Sequence, residues 1–237
     1  MQQSNFNQYA NDWWNKEGDM RMLHTMHETR MLFIKERILK RFIKLNSFKS
    51  IIEKKKILDL GCGGGLLAES LAYYGENIVA IDSSDDLIKM AKKRALEKNM
   101  KINYKKSTIE RLAKNKNKFD IIISLEVIEH VNDYKLFLNS IFKCLNKNGI
   151  VIISTINRNI FSYITTILFA EKILKIVPHS VHNWNLYLKP SEILNYGENF
   201  GLKIDKIVGL FPLPNLAGVQ WIRTKNTSSN YILSMTN

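Results

Sequence analysis

Apolar and polar positions follow two different periods along this chain, and the change of period divides it. Over residues 20–50 the apolar positions Met31, Phe33, Ile34, Ile38, Leu39, Phe42 and Ile43 recur at three-to-four spacing, which predicts a helix. From Lys56 onward short apolar runs alternate with amphipathic stretches. "KILDL" predicts a strand, "LLAESLAYY" a helix and "NIVAID" a second strand. "SDDLIKMAKKRALEK" predicts the next helix, capped by Ser83 or Ser84, with Asp85 and Asp86 at the positive end of its dipole. "KINYKKS", "FDIIISL" and "GIVIIST" predict three further strands, the last two being nearly continuous β-branched runs of the kind covered on both faces. Repeated strand–helix units predict an α/β fold, doubly wound around a mostly parallel sheet. No internal repeat or Pro/Gly linker divides the chain, so it reads as an N-terminal helical extension, 1–50, followed by one domain, 51–237.

Composition narrows the class. With 237 residues, 45% hydrophobic and 24% charged, the chain can bury a sizeable core and is not disordered. Two cysteines, Cys62 and Cys144, make no disulfide framework and suit a reducing compartment. The opening "MQQSNFNQYANDWWNKEGD" has no apolar core of the signal-peptide kind, so the expected location is cytoplasmic. The net charge of +13 invites nucleic acid or an anionic membrane as partner. Yet the lysines are scattered through "IIEKKK" and "KNKNK", with no arginine-rich arm, so no nucleic-acid partner is expected.

The densest chemical signal is "ILDLGCGGGLLAES", residues 57–70, with four glycines in five positions between a strand and a helix. In open α/β sheets ligands bind at this carboxyl edge. A P-loop reading fails because no Gly-Lys-Ser/Thr follows, and a dinucleotide fingerprint beginning at Gly61 fails at Leu66. One beginning at Gly63 meets Ala68, a permitted variant. Asp82 ends the second strand, 21 residues after Gly61, where a carboxylate can accept both hydroxyls of an adenosine ribose. That logic serves a nicotinamide dinucleotide and S-adenosylmethionine alike.

The form Asp59-Leu60-Gly61-Cys62-Gly63-Gly64-Gly65 strongly resembles the first motif of class I S-adenosylmethionine-dependent methyltransferases. Further stretches resemble the ubiquinone biosynthesis O-methyltransferase family: "WWNKEG" at 13–18, "LHTMHETR" at 23–30, "LEVIEHV" at 125–131, "STINRN" at 154–159 and "AEKILKIVP" at 170–178. The resemblance implies a Rossmann-like, seven-stranded sheet with a helical insertion near 160–178. It implies methyl transfer from S-adenosylmethionine to phenolic hydroxyls on a polyprenylated ring, at two steps of ubiquinone synthesis. By motif, Arg30 then faces the cofactor's carboxylate end, Gly61 and Gly63 its backbone side, Asp82 the ribose and Leu125 the adenosine. The chain departs from the family pattern at Ser180-Val181-His182-Asn183 and at Pro212-Leu213, which the resemblance puts on the acceptor side.

A phenol is a poor nucleophile at neutral pH unless a base or a metal takes its proton. Glu126, Glu129 and His130 follow the fourth strand, and on a helix their spacing places all three on one face. Two readings stand side by side: a facial set for Mg²⁺ or a similar ion, or a metal-free site in which Glu129 and His130 act as base or close the pocket. His182 is a second acceptor-side candidate. The apolar stretch 160–178 offers only 11 residues before Glu171, too short for a bilayer span of about 20. Lys172 and Lys175 among Ile173, Leu174, Ile176 and Val177 give it the profile of a helix lying in a membrane interface. The expectation is therefore peripheral contact with the inner face of the membrane, where a prenylated substrate and other quinone-synthesis enzymes would be met. Two alternatives stay open: a methyltransferase for another small phenol, and a cofactor-binding accessory protein that does little chemistry.

Overall fold

The computed structural model describes residues 12–162, 184–215 and 218–237. Its framework is a single sheet built from β1 (Ile57–Leu60), β2 (Ile78–Asp82), β3 (Asn103–Lys106), β4 (Phe119–Leu125), β5 (Leu145–Ile156), β6 (Lys203–Asn215), β7 (Gly218–Thr224) and β8 (Asn230–Thr236), in the order β3-β2-β1-β4-β5-β8-β6-β7. The first five strands run parallel, as the β-branched runs predict. β8 enters antiparallel between β5 and β6, and β7 pairs antiparallel with β6 at the edge. The sheet thus has eight strands where the resemblance implies seven, because "GVQWIRT" folds back on β6.

Side chains alternate across β1, β4 and β5, which explains why both faces need cover. Ile57, Ile121 and Ile150 share one buried cluster with Phe33, Ile34 and Ile38 of α1 (Arg21–Arg41), with α2 (Phe48–Lys54) and with α3 (Leu66–Ala72). Their sequence neighbours Leu58, Ile122 and Val151 belong to a second cluster on the other face. That cluster draws on α5 (Ile109–Lys114), α6 (Tyr134–Cys144) and α8 (Pro190–Glu198), α7 being the short Ile160–Ser162 turn. Ile34 and Ile38 are fully buried, so each contributes about 1.5–3 kcal/mol of transfer free energy to holding α1 on the sheet.

The helix expected over 20–50 is two helices. α1 ends at Arg41, Asn46 takes a left-handed φ of 62°, and the Ser47 side chain caps α2 by accepting from the Ser50 amide. An apolar period that runs through Phe42 and Ile43 hides this break, and Ile43 is largely exposed. α4 (Asp85–Glu97) is capped by Ser84, which accepts from the Leu87 amide, so the second of the two serines is the cap. At one sheet edge β3 exposes Lys105 and Lys106, which discourages pairing with another chain. At the other, α1 fastens β7: Thr29 Oγ1 donates to the Trp221 carbonyl at 2.8 Å, and Arg223 meets Glu36 in a two-pronged pair at 2.7 and 2.8 Å.

Candidate functional site

β1, β2 and β4 end along one edge of the sheet, and there the predicted cofactor residues gather. The amides of Gly61 and Cys62 both donate to the Ile81 carbonyl, at 2.8 and 3.0 Å, which pins the glycine loop to the end of β2. The Asp82 carboxylate closes the same corner. One oxygen accepts from the Gly63 amide at 2.9 Å and the other from the Ser84 amide at 2.8 Å. Burial pushes its pKa up, while the amides of Ser84, Gly63 and Ser83 oppose that rise. Gly63 has φ +51°, and a Cβ there would strike the Trp13 indole, so glycine is required twice over. Trp13 is one participant the sequence motif left without a role.

Arg30 lies 3% exposed, halfway along α1. Its Nη2 donates to the Leu23 carbonyl at 3.0 Å, Nη1 stands 3.7 Å from Glu126 Oε1, and Nε and Nη1 have no hydrogen-bond partner. Burial lowers its pKa, and the charges of Glu126, Glu129 and Asp59 act against that. Asp59, also buried, keeps Oδ2 unpaired. Burial pushes its carboxyl up to about 7; the Ala68 amide and Arg30 resist, and the negative charge of Asp82 adds to the rise. Buried polar atoms without partners are uncommon, and these two groups of opposite charge stand beside the glycine loop.

Leu125 ends β4 in register with Ser154 of β5. Beyond it the expected helical face is not formed. Glu126 takes a left-handed φ of 54°, and Ile128–His130 make a 3-10 turn. Glu126 therefore points toward α1 and the antiparallel half of the sheet. Its Oε1 accepts from Ser154 Oγ at 2.6 Å and its Oε2 from Asn230 Nδ2 at 3.3 Å. Glu129 is buried and accepts from Thr155 Oγ1 at 2.8 Å. Burial, then the adjacent charge of Glu126, holds its pKa well above the carboxylate range. Among the described residues no three His, Cys, Asp or Glu side chains stand together as cation ligands, so the facial set of Glu126, Glu129 and His130 is not assembled. Ser154 and Thr155, adjacent residues of β5, each donate to one of the two carboxylates, which also face each other.

The turn Trp184–Leu186 packs against the His130 turn, and Trp184 Nε1 donates to the Asn159 carbonyl at 3.1 Å. His182 and residues 163–178 of the apolar segment lie outside the described residues. Ser154 and Thr155 lie in the "STINRN" motif, which left them without a role, and Asn230 lies in none of the motifs. The available signal was the polar pair interrupting "GIVIISTI", since a strand covered on both faces admits hydroxyls where something needs them.

A methyltransferase-domain family profile matches residues 26–206. A ubiquinone biosynthesis O-methyltransferase from Pelagibacter ubique is 40% identical over 227 residues, covering 96% of this chain and 93% of the relative. The enzyme of that name from Rickettsia canadensis is 41% identical over 228 residues, covering 96% and 92%. The chain belongs to the ubiquinone biosynthesis O-methyltransferase family. Solved structures agree on the fold. Magnesium protoporphyrin IX methyltransferase from Synechocystis, with bound SAH, superposes with a TM-score of 0.69 at 16% identity, over 99% of this chain and 95% of that one. No helix of the described residues is long and apolar enough to cross a membrane.

Proposed function

We propose that this protein transfers a methyl group from S-adenosylmethionine to phenolic hydroxyls of polyprenylated rings, of the 2-polyprenyl-6-hydroxyphenol and 3-demethylubiquinol type, in ubiquinone biosynthesis. The observation that carries this reading is 40% identity to a named family member across 96% of the chain. S-adenosylmethionine supplies an electrophilic methyl group, and the residues at the sheet edge suit its two ends. Arg30 offers two unpaired, buried N–H donors, the arrangement a carboxylate completes. Asp82, fixed by main-chain amides beside Gly61 and Gly63, is placed to accept ribose hydroxyls, with Leu125 as the apolar neighbour. What remains for the protein is to hold donor and acceptor in line and to manage one proton.

We assign that proton to the Glu129–His130 turn, and of the two readings of this turn we favour the metal-free one. Among the described residues Glu126, Glu129 and His130 do not form a three-ligand cluster for a cation, so no step is routed through one. His130 accepts the phenolic proton in this scheme, and Glu129 keeps the turn in place. Peripheral membrane contact through 160–178 is supported by that segment's spacing of lysines among apolar residues.

The test is incubation with a prenylated catechol and radiolabelled S-adenosylmethionine, with and without a chelator. Label in the ring, unaffected by chelation, is the expected result. Turnover of a soluble phenol alone, or cofactor binding without turnover, would replace the reading with one of the two alternatives. Loss of turnover on chelation would restore the metal.

A further inference from the structure

The tryptophan pair has no part in the scheme above, yet both rings are fastened to the glycine-loop side of the fold. Trp13 is 8% exposed, and its indole lies flush against the backbone of Gly63 and Gly64, filling the space their missing side chains leave. Leu87 and Met90 of α4 pack with it, on the helix that follows Asp82. Its carbonyl contacts His24 Nε2 at 2.8 Å, so α1 holds the same segment from behind. Trp14 packs against the same small cluster and is gripped by charge. The Arg94 guanidinium sits 3.5 Å from its ring centroid and Lys98 Nζ 5.5 Å, while the His24 ring lies 5.7 Å away. Both cations are oriented by one buried carboxylate, Glu69 of α3, at 2.6 and 2.5 Å.

We propose that the pair is a two-part strap across the cofactor subsite: Trp13 supplies an aromatic wall where the glycine loop meets Asp82, and Trp14 is the latch that keeps the wall in place. The inference rests on the methyltransferase reading and adds a binding role for the N-terminal segment. It gives a physical reason for the adjacent glycines at 63 and 64, since a flat indole can lie on bare backbone and leave a continuous surface for a nucleoside. It also explains the placement of Glu69, whose burial would be costly without the two cations it orients.

Calorimetric titration with SAH, together with tryptophan emission, tests this. Trp13→Ala should weaken SAH binding by about tenfold and Trp13→Phe by about two- to threefold, in keeping with an aromatic contact. Trp14→Leu should weaken it by about fivefold through a loosened strap. The KM for the acceptor should stay within about twofold throughout, whereas a merely structural role would move both constants together. SAH should also perturb the emission of the wild-type protein, and Trp13→Phe should abolish that change. Trp13→Phe that keeps both affinity and the emission change would overturn the proposal. If the wild-type protein itself fails to bind SAH, the methyltransferase reading falls, and the strap with it.

Discussion

Asp82 and Glu126 bring carboxylates to the same edge of the sheet, but they are held in opposite ways. Asp82 is held by main chain, from Gly63 nineteen residues away and Ser84 two residues away. Glu126 is held by side chains: Ser154, 28 residues away, Asn230, 104 residues away, and the guanidinium of Arg30 on α1. The first corner is delivered by two strands and a turn, so it exists as soon as β1 and β2 pair. The second requires α1, β5 and β8 to be docked at once. A corner made of main-chain amides tolerates changes elsewhere, whereas a corner made of side chains couples distant parts of the fold to one another.

Substitutions can break this contrast. The largest effect should come from Arg30→Met, which leaves Glu126 without its buried cation; breaking a buried pair of this kind costs about 3–5 kcal/mol. Urea denaturation reads the loss, and adding Glu126→Gln to the same chain should recover part of it. Asp59, between the two corners, should respond next. Its carboxyl is raised to about 7 in the folded protein, against an ordinary value of 3.8. A raised acid binds its proton more tightly when folded, so its contribution is complete below about 4 and is lost as pH rises through about 7. Asp59→Asn, which mimics the neutral acid, should therefore be more stable than wild type at pH 8 by about 4 kcal/mol and match it near pH 4, as thermal melts across that range will show.

Asp82→Ala addresses the other corner. It should lower SAH affinity by about 1.5–2 kcal/mol in calorimetry, the value of charge-assisted hydrogen bonds, with turnover at saturating cofactor close to wild type. The smallest effect should be Ser154→Ala, about 1 kcal/mol in stability, because Asn230 and Arg30 still hold Glu126. An Asp82→Ala loss in stability as large as that of Arg30→Met would erase the distinction between the two corners.

This contrast also explains what was readable from sequence. The strands from β1 to β5, the α4 cap and the glycine–Asp82 corner were visible because their determinants are local: β-branched runs, a serine before two aspartates, a carboxylate at a strand end. Arg30 came only through the "HETR" motif, since one arginine on a helix says nothing of the strands beneath it. The turn at Glu126–His130 misled, because helical spacing of three and four is only an expectation until the φ of one residue is known, and Glu126 adopts 54°. The eighth strand was hidden for a related reason. "GVQWIRT" becomes a strand through pairing with β6 and the Trp221–Thr29 contact, and neither partner is near in the chain.

That last contact has a consequence for biosynthesis. Thr29 leaves the ribosome 192 residues ahead of Trp221, so α1 must wait for its final docking partner while most of the protein is still being made. At about 5–20 residues per second the delay is roughly ten to forty seconds, during which the apolar stripe of Phe33, Ile34 and Ile38 lacks its full cover. The nascent chain is therefore most in need of a chaperone before its C-terminal hairpin emerges, and translation pauses late in the message would prolong that exposure.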